Sequence, residues 1–515
     1  MATLPDARPL AASREIQGNV LAPFRAEYQT FMLLGFRNQR AGARRWLGAA
    51  AARTSTTADV LAAAGDRIGR GRSQPWMNLG LTATGLVTLH PEAAADLVRF
   101  EAYWSGPLGS RLDEPGRLTT TPALLGDVDA SDPRFWLVGG PERPPVDALL
   151  TIAADDEAML TQRVVEERRE AERAGLAVMP FAATSYEGSS APLGKVLRNE
   201  QGHSVEHFGF ADGISQPGIR GFSEEARNNG RLEDARRPGS PIIAAGEFIL
   251  GYPGERRPPT RAPRPSPAPW MRDGSFQVFR RLRQDVAAWW EKMNTLSGGG
   301  SAPADVAAKA IGRRPDGSPL MPSADRNRPN DFSYRDDAHG WHTPVYAHIR
   351  KMNPRDDAVF RDRSHQLLRR GVSFGPRFDP NKPDAAERGL FFNAYMASIE
   401  DQFEFLQRRW ANDPEFPART LATLRQRTGT GHLVAGLDPV VGDDARAARR
   451  RIGKRVAREI PPLAFGGFVT TTGAVYAFAP SRSALLMLAG EPSLHTPAAA
   501  GGLPRGLQRS TAVTV

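Results

Sequence analysis

The 515-residue chain contains no cysteine. That absence excludes disulfides, thiolate nucleophiles, iron–sulfur clusters and cysteine-ligated haem together, so any soft metal must be held by histidine. No apolar run of about 18 residues occurs. The opening Met1-Ala2-Thr3-Leu4-Pro5-Asp6 has neither an apolar core nor paired arginines. The expectation is a cytoplasmic protein with no membrane partner. The zinc pattern His-Glu-x-x-His is missing, and Gly202 and Gly209 argue against a helix that would align His203 with His207. His339, His342 and His348 admit a metal reading by spacing alone, against the plainer reading of ordinary hydrogen-bonded histidines. Net charge is +10, from 67 Lys+Arg against 57 Asp+Glu, but the excess is scattered and no basic motif interleaves with aromatics. A nucleic-acid partner is not expected.

What is present is a repeated strand and helix grammar. At this length two domains, or one domain with long insertions, is the prior. Tyr28 to Phe36, Met77 to Thr82 and Val146 to Ala153 read as buried strands. Gln39 to Arg53 and Asp155 to about Ala174 read as helices, the second opened by acidic residues that suit its positive end. The second half repeats this with strands at Glu247 to Tyr252, Gly274 to Phe279, Gly389 to Ala397 and Val469 to Phe478, and helices at Leu282 to Leu296, Ser398 to Trp410 and Ser483 to Leu488. The pattern predicts two α+β units, each an antiparallel sheet with helices on one face. Boundaries are set at 19–223 and 224–498, with flexible termini at 1–18 and 499–515. Pro253 to Asp273 and Ser297 to Asn330, rich in proline and polar residues, read as long loops.

The stretch Gly209-Phe210-Ala211-Asp212-Gly213-Ile214-Ser215-Gln216-Pro217-Gly218 sets one carboxylate between glycines in apolar company. Glycines let such a loop turn tightly against something bulky, and an Asx-turn is the structural alternative for Asp212. Tyr346-Ala347-His348-Ile349-Arg350-Lys351-Met352-Asn353-Pro354-Arg355 brings a histidine out of an apolar segment into basic company. An imidazole to ligate iron and cations to meet two propionates suit an iron porphyrin. Leu368-Arg369-Arg370-Gly371 adds a further arginine.

These three stretches, with Ile16-Gln17-Gly18-Asn19-Val20-Leu21 near the start and Phe468-Val469-Thr470 to Ala484-Leu485 near the end, resemble the dye-decolorizing peroxidases over nearly the whole chain. The length and insertions look like the larger members. The resemblance implies two ferredoxin-like domains with haem b between the distal loop and the C-terminal domain. It implies His348 as proximal iron ligand, Asp212 as distal acid–base residue and Arg369, ahead of Gly371, as distal arginine, with Gly213 and Arg350 beside the cofactor. The substrates implied are hydrogen peroxide and a bulky aromatic donor, a dye or phenolic. The oligomeric state is left open, a homo-oligomer included.

The chemistry asks for a second carboxylate on the histidine, expected among Glu400, Asp401, Glu404 and Asp413. Electrons from a bulky donor would travel through Trp289, Trp290, Trp341, Tyr346 or Trp410, each of which also reads as core packing. A non-catalytic haem-handling protein is the alternative function; the presence of both Asp212 and Arg369 favours catalysis.

Overall fold

The computed structural model describes residues 9–66, 75–112, 116–179, 193–228, 230–257, 261–298, 300–323, 325, 328–357, 363–417, 436–442 and 466–491. The first strand, β1 (Tyr28–Gly35), carries the continuous apolar run Phe31 to Leu34 because it is buried on both faces. The alanine-rich helix α1 (Arg40–Arg53) follows, then β2 (Trp76–Leu81). Helix α2 (Ala83–Leu89) is capped by Thr82, whose hydroxyl accepts from the Gly85 amide at 3.2 Å. After β3 (Ala148–Ala154), α3 (Glu157–Arg173) starts at Asp156, whose carboxylate accepts from the Met159 amide at 3.1 Å, and β4 (Leu193–Lys195) closes the unit.

The second unit repeats the order. It runs β5 (Ser275–Gln284), α4 (Val286–Ser297), α5 (Pro303–Ile311), α6 (His348–Met352), β6 (Leu368–Arg369), β7 (Val372–Phe374) and β8 (Gly389–Met396). Two π-helical stretches, Ile399–Glu404 and Leu406–Ala411, lead towards β9 (Val469–Ala479) and α7 (Arg482–Ala489). In both units the spatial strand order is second, third, first, fourth: β2-β3-β1-β4 and β7-β8-β5-β9, all antiparallel. This is the ferredoxin-like α+β arrangement, present twice.

The two sheets close on each other. The fourth strand of each unit pairs with the second strand of the other, through Phe374↔Gly194 and Phe478↔Leu81, so the eight strands form a ring. Alternation along the strands then separates two cores. Phe31, Leu33 and Leu149 meet Phe279, Phe374, Phe391 and Val475 inside the ring. A polar layer accompanies them, in which Gln277 Nε2 donates to Asn393 Oδ1 at 2.9 Å. Outside, Met32, Leu34 and Leu79 pack with Trp46, Leu47 and Leu485 of the helices.

Three expectations change. Glu247 to Tyr252 is not a strand: Ala245–Glu247 is a single helical turn, and Gly251 takes a positive φ of 86°. Its apolar run is buried all the same, with Phe248 and Ile249 fully covered. Residues 297–330 are not all loop, since they contain α5, whose Ala307, Ala308 and Ala310 pack beside Trp289. Residues 9–18 are packed instead of loose: Gln17 is buried, donating from Nε2 to the Leu79 and Pro480 carbonyls at 2.8 Å each. Residues 1–8 and 499–515 lie outside the described residues. No helix among the described residues is long and apolar enough to cross a membrane.

Candidate active site

A cavity of about 560 Å³ lies against the outer face of β5 and β8, where Arg280, Leu282, Leu390 and Phe392 project away from the ring interior. Its upper wall is the loop from Glu206 to Ser215. Gly209 and Gly213 have positive φ values of 93° and 77°, and a Cβ at either would meet nothing within 4 Å. Both glycines therefore serve the backbone turn, not close approach to a neighbour. Glu206 ties the loop together, its carboxylate accepting from the amides of Phe208 at 2.8 Å and Phe210 at 3.1 Å and from Gln284 Nε2 at 2.7 Å. Burial pushes this carboxyl up to about 7. Asp212 lines the cavity, and its Oδ1 accepts from the Gly213 amide at 2.6 Å. The carboxylate thus bonds the next amide of its own loop, one residue short of an Asx-turn, and lines the cavity as well.

Arg369 also lines the cavity, and among the described residues its guanidinium has no hydrogen-bond or ion-pair partner. Arg370 is spent on the fold. It donates from Nε to the Asn19 carbonyl at 2.9 Å, from Nη1 to the Arg369 carbonyl at 2.8 Å, and from Nη2 to the Val20 and Leu21 carbonyls at 3.0 and 3.1 Å. The segment Gln17 to Leu21 is held in this way.

His348, at the first position of α6, lines the same cavity. Its Nδ1 donates to Asp438 Oδ2 at 2.8 Å, and Asp438 Oδ1 accepts from the amides of Val440 at 2.8 Å and Val441 at 3.0 Å. Because that carboxylate only accepts, the Nδ1 proton is fixed and the Nε2 lone pair is left to ligate. Burial alone would disfavour the imidazolium, but the Asp438 charge and hydrogen bond outweigh it and raise His348 above its ordinary value. Burial likewise works against the Asp438 carboxylate, and His348 with the two amides holds it below its ordinary value.

The carboxylate on the histidine is Asp438, and none of the four expected candidates supplies it. Glu400 and Glu404 pair with Arg111 at 3.2 and 3.0 Å, Asp401 pairs with Arg257 and Arg264 at 2.6 and 3.1 Å, and Asp413 Oδ1 accepts from the Glu415 amide at 2.9 Å. Arg350 is also misplaced by the sequence reading. It is fully buried away from the cavity wall, bonded to Asp357 at 2.6 and 3.1 Å, to Asp337 at 3.3 Å and to the Thr343 carbonyl at 2.6 Å. The cations on the wall are Arg280, which is paired with Asp127, and Arg313, Arg355 and Arg369. Asn330 Oδ1 accepts from Arg313 at 2.7 Å and Arg355 at 3.0 Å, and no carboxylate among the described residues lies within ion-pair distance of either. Burial and the charge of Arg355 push Arg313 down to about 10. Arg355 holds a positive φ of 52°, strain of the kind that concentrates at functional sites.

Of the aromatics, Trp289 is buried and stacked on Phe208 at 4.4 Å, Trp410 is buried and stacked on Phe416 at 5.0 Å, and Tyr346 is 8% exposed. Trp341 is 68% exposed. His203 is exposed, whereas His207 is buried with Nε2 donating to the Phe374 carbonyl at 2.7 Å; no cluster of three metal-ligating side chains occurs among the described residues.

Residues 262–436 match the family described as Dyp-type peroxidase, C-terminal. Over 498 residues the chain is 28% identical to the multifunctional dye peroxidase DyP2 of Amycolatopsis sp., covering 92% of this chain and 95% of that protein. It is 33% identical over 318 residues to the dye-decolorizing peroxidase AauDyP1 of Auricularia auricula-judae, 56% of either chain. The crystal structure of AauDyP with imidazole superposes with a TM-score of 0.70 at 22% identity, over 93% of this chain and 100% of that one. That of the Anabaena sp. DyP-type peroxidase gives 0.68 at 22% identity, over 95% and 100%. A doubled ferredoxin-like ring, a histidine–carboxylate pair lining one cavity with a Gly-x-x-Asp-Gly loop, and relatives that match over nearly the whole length make this chain similar from end to end to the DyP-type peroxidases.

Proposed function

We propose that the protein is a haem b peroxidase that reduces hydrogen peroxide with electrons from bulky aromatic donors such as dyes and phenolics. The observation that carries this reading is the set of groups lining one cavity: His348 backed by Asp438, together with Asp212 and Arg369, whose guanidinium has no partner among the described residues. The cavity suits the group. Its apolar lining of Leu282, Leu390, Phe392, Phe403, Leu406 and Val440 accepts a flat macrocycle. Arg313 and Arg355, crowded and without carboxylate partners among the described residues, suit two propionates, and an anion there would relieve their mutual repulsion. Haem, when bound, supplies a centre that gives up two electrons to peroxide and takes them back from the donor.

The protein's own part is proton movement and charge. Asp212 takes the proton from one peroxide oxygen and returns it to the other, the transfer that lets the O–O bond break heterolytically and water leave. Arg369 stabilises the negative charge that grows on the departing oxygen. Asp438 holds the Nδ1 proton of His348, which fixes the ring and raises the basicity of Nε2. A protein that merely carried haem would need neither Asp212 nor Arg369 on the wall.

The test begins with the visible spectrum of the haem-loaded protein. His348→Ala is expected to lose haem retention while keeping the fold; a normal Soret band would remove His348 as the ligand. Asp212→Asn is expected to slow the reaction with peroxide by ~10²–10⁴-fold, followed by stopped flow from acid to neutral pH. Parental rates across that range would make Asp212 a turn residue only.

A further inference from the structure

Lys351 lies three residues after His348 on α6 and is fully buried. An ammonium carries three donors and no acceptor. Here Nζ donates to three backbone carbonyls, Asp413 at 2.8 Å, Phe416 at 3.2 Å and Gly436 at 2.6 Å. Among the described residues no carboxylate lies within ion-pair distance of it. Burial pushes the ammonium down to about 8, so the fold retains a buried cation at a cost instead of an apolar side chain of the same length.

The three carbonyls come from two pieces of chain that meet beside the histidine. Asp413 and Phe416 follow the π-helical stretch that ends at Ala411, and Gly436 stands two residues before Asp438. The same pieces are stitched by the Asp438 amide donating to the Ala411 carbonyl at 2.9 Å and the Gly436 amide donating to the Pro414 carbonyl at 3.3 Å. One side chain on the helix that bears His348 therefore fixes the backbone that delivers Asp438.

We propose that Lys351 is the positioning residue of the His348–Asp438 pair: its ammonium sets the distance between carboxylate and imidazole, and through it the basicity of Nε2. This rests on the reading of His348 as iron ligand. Weakening the His348–Asp438 hydrogen bond lowers imidazolate character, which makes the iron easier to reduce. Lys351→Met keeps the length of the side chain and removes all three donors.

The experiment compares K351M, D438N and the double variant in two readouts. In the haem-free protein labelled with ¹⁵N-histidine, the His348 Nδ1 proton resonance is expected to move in K351M in the direction it moves in D438N. In the haem-loaded protein the ferric/ferrous reduction potential is expected to rise in both, and the double variant to rise no further than D438N alone. If K351M folds with parental resonance and potential while D438N shifts, Lys351 is a structural residue and the proposal fails alone. A double-variant shift equal to the sum of the two singles also overturns it, because Lys351 would then act independently of Asp438. If D438N itself has the parental potential, the ligand-pair reading fails and this inference with it. Should K351M not fold, K351Q, which retains two donors, is read in the same way, with an intermediate shift expected and parental values fatal.

Discussion

At the scale of single residues, Arg369 and Arg370 show how neighbours of one type divide between a cavity wall and the architecture of the fold. Arg369 faces the cavity without a described protein partner, while Arg370 satisfies three carbonyls near residue 20 and the Arg369 carbonyl. Arg369→Leu is expected to slow the reaction with peroxide by ~10²–10³-fold and leave the melting temperature near that of the parent. Arg370→Leu strands buried carbonyls and is expected to lower stability by about 2–4 kcal/mol, seen in denaturant unfolding. A reversal of this ranking would transfer the distal role to Arg370. Residue type and order were enough to nominate Asp212, His348 and Arg369. They were not enough for Asp438, which reaches His348 across 90 positions of sequence. Nor could they show that Asp337 and Asp357 neutralise Arg350 before it reaches the cavity. Local motifs carry the groups whose backbone setting is local; pairings made by distant chain segments leave no such trace.

At the scale of elements, the distal loop holds two adjacent groups with opposite responses to pH. Burial pushes Glu206 from about 4.5 up to about 7 and His207 from about 6.5 down to about 4. His207 is kept neutral by its apolar setting, and its Nδ1 has no partner among the described residues. For Glu206 the folded value is raised, so its stabilising contribution is complete below about 4.5 and is lost as pH rises towards 7. For His207 the folded value is depressed, so its contribution is complete above about 6.5 and is lost as pH falls towards 4. Between about 4.5 and 6.5 the two slopes, each about 1.4 kcal/mol per pH unit, oppose each other, and this loop should add little pH dependence to stability. In Glu206→Gln the His207 slope is expected to emerge, with stability falling as pH drops; in His207→Gln the Glu206 slope, with stability falling as pH rises. Denaturant midpoints at four or five pH values check both, and identical slopes in parent and variants would refute the pairing. Most strands and helices were readable from apolar runs and caps. Glu247 to Tyr252 was not, because a buried apolar turn between Gly246 and Gly251 has the composition of a strand without its backbone.

At the scale of the whole molecule, two contacts close the ring: Phe478 against Leu81 and Phe374 against Gly194. Sequence periodicity announced two sheets but not their closure, since a single paired residue at each seam has no pattern of its own. A Cβ at Gly194 would lie 2.5 Å from Val372 Cγ1 and 2.8 Å from the Gln29 carbonyl. Gly194→Val is therefore expected to force one seam apart, lowering stability by about 1–3 kcal/mol or more and broadening the thermal transition as the units lose their coupling. An unchanged, sharp transition would show that the seam contributes nothing.

Ring closure also governs the order of events during synthesis. The second strand of the first unit waits for β9, whose last residue is Ala479, and its fourth strand waits for β7. At ~5–20 residues per second, the nascent first half presents two unpaired strand edges for roughly tens of seconds, the period in which such edges recruit other chains. His348, Arg369 and the outer face of β8 also emerge before β9 can brace them. Cofactor loading is thus deferred until β9 has left the ribosome, and a chain truncated before it is expected to be both haem-free and adhesive.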